Sequence, residues 1–368
     1  MTLQPALVNE AAILDGPTVA RAVGTIIRAA DSRPEEAAPR RRLCSSPSAI
    51  RRLHRLEKEI GTSVELYVKR DESLRPLFGN KLRYIEYVLG AYDLLGADCI
   101  IHCGGLCSNY LMQLALIGAE CKIPMHLIYA APRPDVLQGN PLLAALFGAD
   151  IRYRTGSNSR LKAELAEEIA REGRRPLVID APFTNHSAIL GYMRAWSELK
   201  MQVAQNEAAM PDHIMMCSAG NSYLGMRIGA DLDGADIGVI AISPIRFADA
   251  GLSELAPDRK AFLRKKIDEF SSFIGKPISV RSIDVDESFV GPDYGIPSLE
   301  GIAAARLLAR TEGLLLDPIY SGKAMAGLLA YVRSGEFSAG TRVMFIHSGG
   351  LGNVFTFHDA FGEPPDRD

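Results

Sequence analysis

Short apolar runs of β-forming residues alternate with amphipathic helical stretches along this chain from about residue 64 onward. This alternation is typical of parallel α/β architecture, because parallel strands need a long crossover between them, usually a helix. Strands are predicted at 64–70, 99–104, 125–130, 151–155, 176–182, 213–219, 237–243, 278–283 and 343–350. Helices are predicted at 81–95, 109–121, 159–173, 187–202, 222–232, 257–274, 299–312 and 322–334. So many strands exceed one doubly wound sheet, and the pattern predicts an α/β fold with two open, twisted, mostly parallel sheets flanked by helices.

The polar stretch at 203–212 is a plausible boundary between the two sheets. We expect a large domain built from 46–84 and 200–368, and a small domain at 85–199. Residues 1–45 differ from the rest, since an apolar helical stretch is followed by a polar, arginine-rich segment. This part is predicted to be an N-terminal extension, either a linker or a loosely attached arm. Its arginines are interpreted either as a phosphate or partner patch or as a solvated basic stretch.

The charge balance points to small-molecule chemistry. Lys plus Arg total 41 against 44 for Asp plus Glu, so the formal net charge is −3 and a broad positive field for nucleic acid is absent. The apolar runs are far shorter than the roughly 20 residues of a membrane-spanning helix, and the N-terminus lacks the pattern of a secretory signal. The six cysteines lie mostly in apolar runs, which favours a reducing, cytoplasmic compartment.

Cys99, Cys103 and Cys107 recur every four residues, but this spacing matches no zinc pattern. No metal site is therefore predicted. Cys99 and Cys103 are expected to be buried core residues. For Cys107, whose neighbours match site residues in the resemblance described below, a reactive thiol is the alternative to a structural one.

Three predicted strands run directly into small turns that contain glycine, at 103–109, 217–222 and 347–353. Glycine lets the backbone approach a ligand closely, and the following helix N-terminus offers unpaired N–H groups and a positive dipole end. Such turns suit a phosphate or carboxylate, and three of them together predict an anion site. None has the spacing of a P-loop or of a dinucleotide fingerprint, so ATP and NAD are disfavoured.

A fourth turn places Lys81 at the start of a helix, directly after Gly79 and Asn80. Because a positive charge there opposes the helix dipole, such a lysine is suited to nucleophilic Schiff-base chemistry. The alternative is an ordinary surface lysine. Lys323, also at a helix start, is the rival candidate for a Schiff base.

The segments KRDE, GNKLRYIEY, GGLCSN, CSAGNSYLGM, DYGIPS, LDPIYSGKAMAGL and HSGGLGNVF occur in this order along the chain. As a set, over roughly residues 45–360, they resemble the pyridoxal-phosphate enzymes that include D-cysteine desulfhydrase and 1-aminocyclopropane-1-carboxylate deaminase. These enzymes have fold type II, the tryptophan synthase β-like fold, and are usually dimeric. The resemblance implies pyridoxal 5'-phosphate as cofactor, bound by the large domain, a small amino acid as substrate, and a homodimer.

Carried over position by position, the resemblance implies a full set of site residues. Lys81 would form the internal aldimine and shuttle the substrate α-proton, with Asn80 beside it at the cofactor. The phosphate would lie in the turn formed by Ala219, Gly220, Asn221 and Ser222, and Asn109 would hydrogen-bond the pyridoxal hydroxyl. The substrate would be met by Ser108, which matches the carboxylate pocket and a proton-transfer role, and by Cys107, Tyr110, Tyr294 and Tyr320.

Two serines bear on the choice of reaction. Where the cyclopropane deaminases have Glu and Leu, and the desulfhydrases have Thr twice, this chain has Ser321 and Ser348. A carboxylate beside the pyridine nitrogen keeps that nitrogen protonated, whereas a hydroxyl leaves a weaker electron sink. A weaker sink suits prompt loss of a β-leaving group, so α,β-elimination or β-replacement is favoured over cyclopropane ring opening.

The chain departs from the family at three positions near the expected site. Cys107 stands where Gln is usual, Tyr110 replaces a small or imidazole-bearing residue, and Asn221 replaces Gly or Ser. Ring opening, a divergent biosynthetic enzyme and a non-catalytic paralogue therefore stay open as alternatives to a desulfhydrase-like lyase.

Overall fold

The computed structural model describes residues 11–44, 47–75 and 79–362. Its strands are β1 Ile50–Arg52, β2 Glu65–Lys69, β3 Cys99–Gly104, β4 Met125–Tyr129, β5 Asp150–Tyr153, β6 Pro176–Val178, β7 His213–Cys217, β8 Gly238–Ile242, β9 Val285–Asp286 and β10 Arg342–Ile346. Its helices are α1 Gly16–Ala29, α2 Pro34–Ala37, α3 His54–Ile60, α4 Leu82–Leu95, α5 Asn109–Cys121, α6 Gly139–Leu146, α7 Asn158–Arg171, α8 Phe183–Ala204, α9 Asn221–Leu232, α10 Arg259–Ile274, α11 Leu299–Glu312, α12 Ser321–Ser334, α13 Leu351–Thr356 and α14 His358–Phe361. None of the helices in these ranges is long and apolar enough to cross a bilayer.

The chain divides into two compact units. The first unit comprises the described residues of Met1–Ser45, Lys81–Arg194 and Asp268–Pro277, and the second those of Ser46–Asn80, Ala195–Ile267 and Ile278–Asp368. Each unit has its own sheet, and both sheets are mostly parallel with helices between the strands. The predicted fold class is confirmed.

The first unit contains a four-stranded, wholly parallel sheet in the order β5-β4-β3-β6. Its central strand β3 pairs Ile100 with Met125 of β4 and Cys99 with Pro176 of β6. Leu165 and neighbouring apolar residues of α7 pack against the same strand. Cys99 and Cys103 belong to this core, as predicted.

Residues 11–44 pack within the first unit. Asp15 caps α1 by accepting a hydrogen bond from the Thr18 amide, and the buried side chains recur every four residues along one face. Leu14 forms a parallel bridge with Leu177, beside β6. This stretch is therefore a packed element in its described part.

Two of the N-terminal arginines form ion pairs inside the first unit. Arg40 Nη1 lies 2.6 Å from Glu86 Oε2, and Arg41 pairs with Asp93. Their charges are used within the unit, which argues against the predicted phosphate or partner patch at these two positions.

The second unit contains a six-stranded sheet in the order β1-β2-β10-β7-β8-β9. All neighbouring strands are parallel except β1 and β2. Strand β10 lies in the middle and pairs Val343 with both Leu66 and His213. One face of this sheet packs against α11 and α12 through a cluster of buried aliphatic and aromatic residues.

Eight of the nine predicted strands are present, with shorter ends. The strand predicted at 278–283 is wrong, and a two-residue strand forms at Val285–Asp286 instead. The backbone polar groups of the 278–283 segment bond to side chains of α9 rather than to a neighbouring strand. The Arg281 amide donates to Asp231, and the Ser282 carbonyl accepts from Tyr223. Strand β1 and the helices α2, α3, α6, α13 and α14 were not predicted.

A buried lysine joins three segments of the second unit. Lys69, at the end of β2, is fully buried, and its ammonium donates to Glu198 Oε1 at 2.6 Å, to Gln202 Oε1 at 2.7 Å and to the Ser48 carbonyl at 3.2 Å. Removing one partner of a buried ion pair leaves the other charge uncompensated, which costs far more than breaking a surface pair.

We expect Lys69→Met to destabilise the protein by about 3 kcal/mol, because Glu198 loses its cation and Gln202 its donor. The measurement is the midpoint of urea unfolding. Lys58→Met, at an exposed position on α3, is the matched control and should shift the midpoint little. Equal shifts for the two variants would contradict the assigned role of Lys69.

A histidine on β3 is held neutral. Burial, aided by the nearby Lys162 ammonium, lowers the pKa of His102 from 6.5 to about 3. The ring Nδ1 lies 3.2 Å from the Ile179 carbonyl, which fixes Nδ1 as the protonated nitrogen. Between these two pKa values the unfolded chain binds a proton that the folded protein does not.

The free energy of unfolding should therefore fall as the pH falls below about 6.5, with His102 contributing a slope of up to about 1.4 kcal/mol per pH unit. The substitution His102→Asn, which keeps an N–H donor, should remove that part of the slope. The check is urea unfolding from pH 7 to pH 4, with the exposed His54→Asn as control. A slope unchanged in His102→Asn would contradict the prediction.

Candidate active site

In the first unit, the turn after β3 leads into α5 and carries four of the predicted site residues. Ser108 is the N-cap of α5, and its Oγ accepts a hydrogen bond from the Leu111 amide at 3.2 Å. Because this bond uses an oxygen lone pair, the hydroxyl hydrogen of Ser108 can donate to a ligand oxygen. Cys107 and Asn109 flank it and are half-buried.

Asn140 organises this turn, although the sequence analysis did not single it out. It is fully buried on α6, and its Nδ2 donates to Asn109 Oδ1 at 2.9 Å and to the Cys107 carbonyl at 3.2 Å. Since Asn109 turns its oxygen to Asn140, its Nδ2 is the donor on the opposite side. Asn140 was missed because α6, which begins at Gly139, is too short for its length or periodicity to predict a helix.

Lys81 lies at the N-cap of α4, as expected, and its amine lies near one aromatic ring. Its Nζ is 5.0 Å from the centroid of the Tyr84 ring, a cation–π distance. Tyr84 in turn meets Tyr110 edge to face at 6.2 Å, and Tyr110 packs on His102 at 4.7 Å. Burial raises the pKa of the Tyr110 phenol, so this hydroxyl stays protonated. Tyr110 is thus a packed neighbour of the ring that contacts Lys81.

In the second unit, the turn after β7 comprises Ser218 to Ser222 and is called here the 218–222 turn. The Ser218 Oγ accepts from the Gly220 amide at 3.1 Å and the Tyr223 amide at 3.2 Å, and shares a hydrogen bond with Ser222 Oγ at 2.8 Å. These bonds hold the start of α9, where amides lack helical partners, in a fixed shape. Turns of this shape at a helix N-terminus are suited to an anion.

Gly220 has a backbone conformation that only glycine adopts easily. Its φ is +156°, and an added Cβ would lie 2.6 Å from Leu263 Cδ2. The backbone angle therefore favours glycine at this position, and any larger residue would also require the end of the Leu263 side chain to move. The neighbouring Ala219 and Asn221 lie on either side of it in the 218–222 turn.

The turn after β10 contains Ser348, which is half-buried. Its carbonyl accepts a hydrogen bond from the Asn80 amide at 3.1 Å, so the end of the loop from β2 is fixed to this turn inside the second unit. Preceding it, His347 accepts from the Gly349 amide through Nδ1 at 3.2 Å and contacts the Leu315 carbonyl through Nε2 at 3.0 Å. Burial lowers the pKa of His347, which keeps the ring neutral and in this structural role.

Ser321 lies at the start of α12 and is fully buried against Asp317. Its hydroxyl donates to Asp317 Oδ1, and its oxygen accepts from the Asp317 amide at 3.0 Å. The same carboxylate accepts from the amides of Ile319, Tyr320 and Ser321. Burial raises the pKa of Asp317, while these four bonds favour its ionised form. Asp317 is a second residue that sequence analysis missed, although it lies within the LDPIY segment.

Tyr294 and Tyr320 come together in the second unit with their hydroxyl oxygens 2.7 Å apart. The loop before Tyr294 is held by two cations: Arg246 donates to the Gly291 and Pro292 carbonyls, and Lys323 donates to the Asp293 carbonyl at 3.0 Å. Lys323 is fully buried and burial lowers its pKa. The structure thus gives this lysine a structural contact on the Tyr294 loop.

The chemistry of these two sets fits pyridoxal phosphate. The first unit supplies a lysine at a helix start, a serine hydroxyl and an oriented asparagine amide. The second supplies an amide-rich turn at the start of α9, two serines and a pair of tyrosine hydroxyls. An amine, an amide-rich turn, and hydroxyl and side-chain amide donors, the kinds of group that pyridoxal phosphate requires, are therefore all present. Within the described ranges, no group of side chains could hold a metal ion.

Comparisons with known proteins agree with this chemistry. A family model described as pyridoxal-phosphate dependent enzyme matches residues 42–349. A D-cysteine desulfhydrase from Yersinia pestis (strain Pestoides F) is 33% identical over 331 residues, which are 87% of this chain and 96% of the relative. A 1-aminocyclopropane-1-carboxylate deaminase from Methylobacterium nodulans is 32% identical over 335 residues, which are 86% of this chain and 97% of the relative.

Among solved structures, one described as an ACC deaminase homologue superposes with a TM-score of 0.75 and 30% identity. It covers 88% of this chain and 95% of the other. The chain therefore belongs to the family of pyridoxal-phosphate-dependent enzymes, in the group of D-cysteine desulfhydrase and 1-aminocyclopropane-1-carboxylate deaminase, and its cofactor is pyridoxal phosphate.

Proposed function

We propose that this enzyme is a lyase that catalyses α,β-elimination on a small amino acid with a β-leaving group, as a D-cysteine desulfhydrase does. The observation that carries the proposal is the presence of hydroxyls, and no carboxylate, at positions 321 and 348. A pyridine nitrogen beside a hydroxyl stays largely neutral, whereas one beside a carboxylate is kept protonated. The neutral ring withdraws electrons less strongly than the protonated ring. Prompt expulsion of a leaving group needs only a weak electron sink, whereas cyclopropane ring opening has no such group.

Asp317 is the one carboxylate in contact with Ser321, and its hydrogen bonds argue against a direct role at the ring nitrogen. Both of its oxygens are occupied by donors from the first turn of α12 and from Ser321 itself. Ser348 has a half-buried side chain with no hydrogen bond to the described part of the chain. We therefore assign the contact with the cofactor ring to Ser348. Ser321 is assigned a supporting role behind Ser348.

When bound, pyridoxal phosphate supplies the electron sink that makes the substrate α-hydrogen acidic. Lys81 Nζ would hold the cofactor, and once the substrate amine has displaced it there, the same nitrogen would take the substrate α-proton. The Tyr84 ring, 5.0 Å from Nζ, would keep the amine in place. The amides of the 218–222 turn would hold the phosphate, and Asn109, oriented by Asn140, would donate to the pyridoxal oxygen.

The remaining side chains act on the substrate. Ser108 donates its hydroxyl hydrogen to the substrate carboxylate, because its lone pair already serves Leu111. Tyr294 and Tyr320, whose hydroxyls hydrogen-bond to each other, are assigned to protonate the leaving group. We also propose that the enzyme acts in the cytoplasm and is a homodimer; light scattering of the purified protein tests the dimer.

We expect the purified protein to show a visible absorption band that is absent in Lys81→Ala after pyridoxal phosphate is added to both. The exposed Lys58→Ala variant should keep the band. Lys323→Met should keep it as well, since Lys323 is assigned to the Tyr294 loop. A band that persists in Lys81→Ala and disappears in Lys323→Met would overturn the assignment of Lys81.

Incubation with D-cysteine and other β-substituted amino acids should release ammonia, a 2-oxo acid and the leaving group in equal amounts. With D-cysteine the leaving group is sulfide. Detection of 2-oxobutanoate from the cyclopropane amino acid, without turnover of any β-substituted substrate, would support ring opening instead. Capture of an added nucleophile without ammonia would indicate β-replacement, and binding without any turnover would indicate a non-catalytic protein.

A further inference from the structure

The first turn of α10 packs against the 218–222 turn inside the second unit. Arg259, the first residue of this helix, is 94% buried and uses all three of its nitrogen groups. Nη1 donates to the Ala219 carbonyl at 2.7 Å, Nη2 donates to the Ile245 carbonyl at 2.8 Å, and Nε forms an ion pair with Glu287. The guanidinium also lies 5.6 Å from the Phe247 ring centroid. So complete a set of partners is unusual for one arginine.

The contact with Ala219 fixes one peptide group of the turn at both ends. The Ala219 carbonyl accepts from Arg259, and the amide of the same peptide, that of Gly220, donates to Ser218 Oγ. With this peptide held, the chain must enter α9 in one direction, and the amides at the helix start point out of its N-terminus. Leu263, one turn further along α10, supports Gly220 from the same side.

We propose that Arg259 is a positioning residue that keeps the 218–222 turn in the shape that binds the cofactor phosphate. This inference rests on the proposed function, because it takes the turn to be the phosphate site. Arg259 acts through the Ala219–Gly220 peptide and does not itself reach the ligand. Its charge is already paired with Glu287, whose second oxygen accepts from the Phe247 amide at 2.9 Å.

The test compares two ligands that differ only in the phosphate. Dissociation constants for pyridoxal phosphate and for pyridoxal are measured on the cofactor-free full chain, for wild type, Arg259→Met and Arg259→Lys. In Arg259→Met the constant for pyridoxal phosphate should rise about tenfold to hundredfold, as expected for loss of a hydrogen bond to a charged group. The constant for pyridoxal should stay the same, and the ³¹P signal of the bound phosphate should shift.

Arg259→Lys restores a charge and one donor, so its affinity for pyridoxal phosphate should lie between the other two. Lys260→Met, at the exposed next position, should bind both ligands as wild type does. Should Arg259→Met fail to fold, Glu287→Gln replaces it, with the same expected selective loss. Equal weakening of both ligands, or an unchanged ³¹P signal, would overturn the inference while leaving the proposed function intact. Wild type that binds neither ligand would overturn both.

Discussion

Parallel strand pairing is the constraint on which the candidate site depends. When strands run parallel, all their carboxyl ends lie at one edge of the sheet, and each helix that follows begins there. In the first unit this places Ser108 and Asn109 directly after β3. In the second unit it places the 218–222 turn after β7 and Ser348 after β10, two strands that pair directly. Each sheet thus brings helix N-termini and small turns together at one of its own edges.

Buried charges refine the positions that the sheets set. Lys69, Asp317, Arg259 and Lys323 all lie in the second unit, and each is satisfied by backbone carbonyls, amides or an opposite charge. A buried ion is costly unless it is hydrogen-bonded or paired, so each of these residues fixes the backbone or side chains that it contacts. Three of them hold loops or turns that carry proposed site residues. Polar groups that never meet the substrate therefore shape the surface that does.

The fold and the residues of the turns were accessible from the sequence, because periodicity and glycine placement are local signals. The strand predicted at 278–283 was wrong because the prediction rested on alternating apolar residues. In the folded chain the backbone of this segment bonds to α9 instead, and a local pattern cannot show that contact. Asn140 and Arg259 were missed for a related reason. Each is a single polar residue far along the chain from the turn that it holds, and no local pattern distinguishes it from a surface residue.

The shape of the 218–222 turn rests on one peptide group. Arg259 holds the carbonyl of the Ala219–Gly220 peptide, and the Ser218 hydroxyl accepts from its amide. Gly220 adopts a φ of +156°, at which other residues are strained. Because these bonds exist before any ligand arrives, the turn is preorganised, and an anion that binds there loses little affinity to the conformational entropy of ordering a loop.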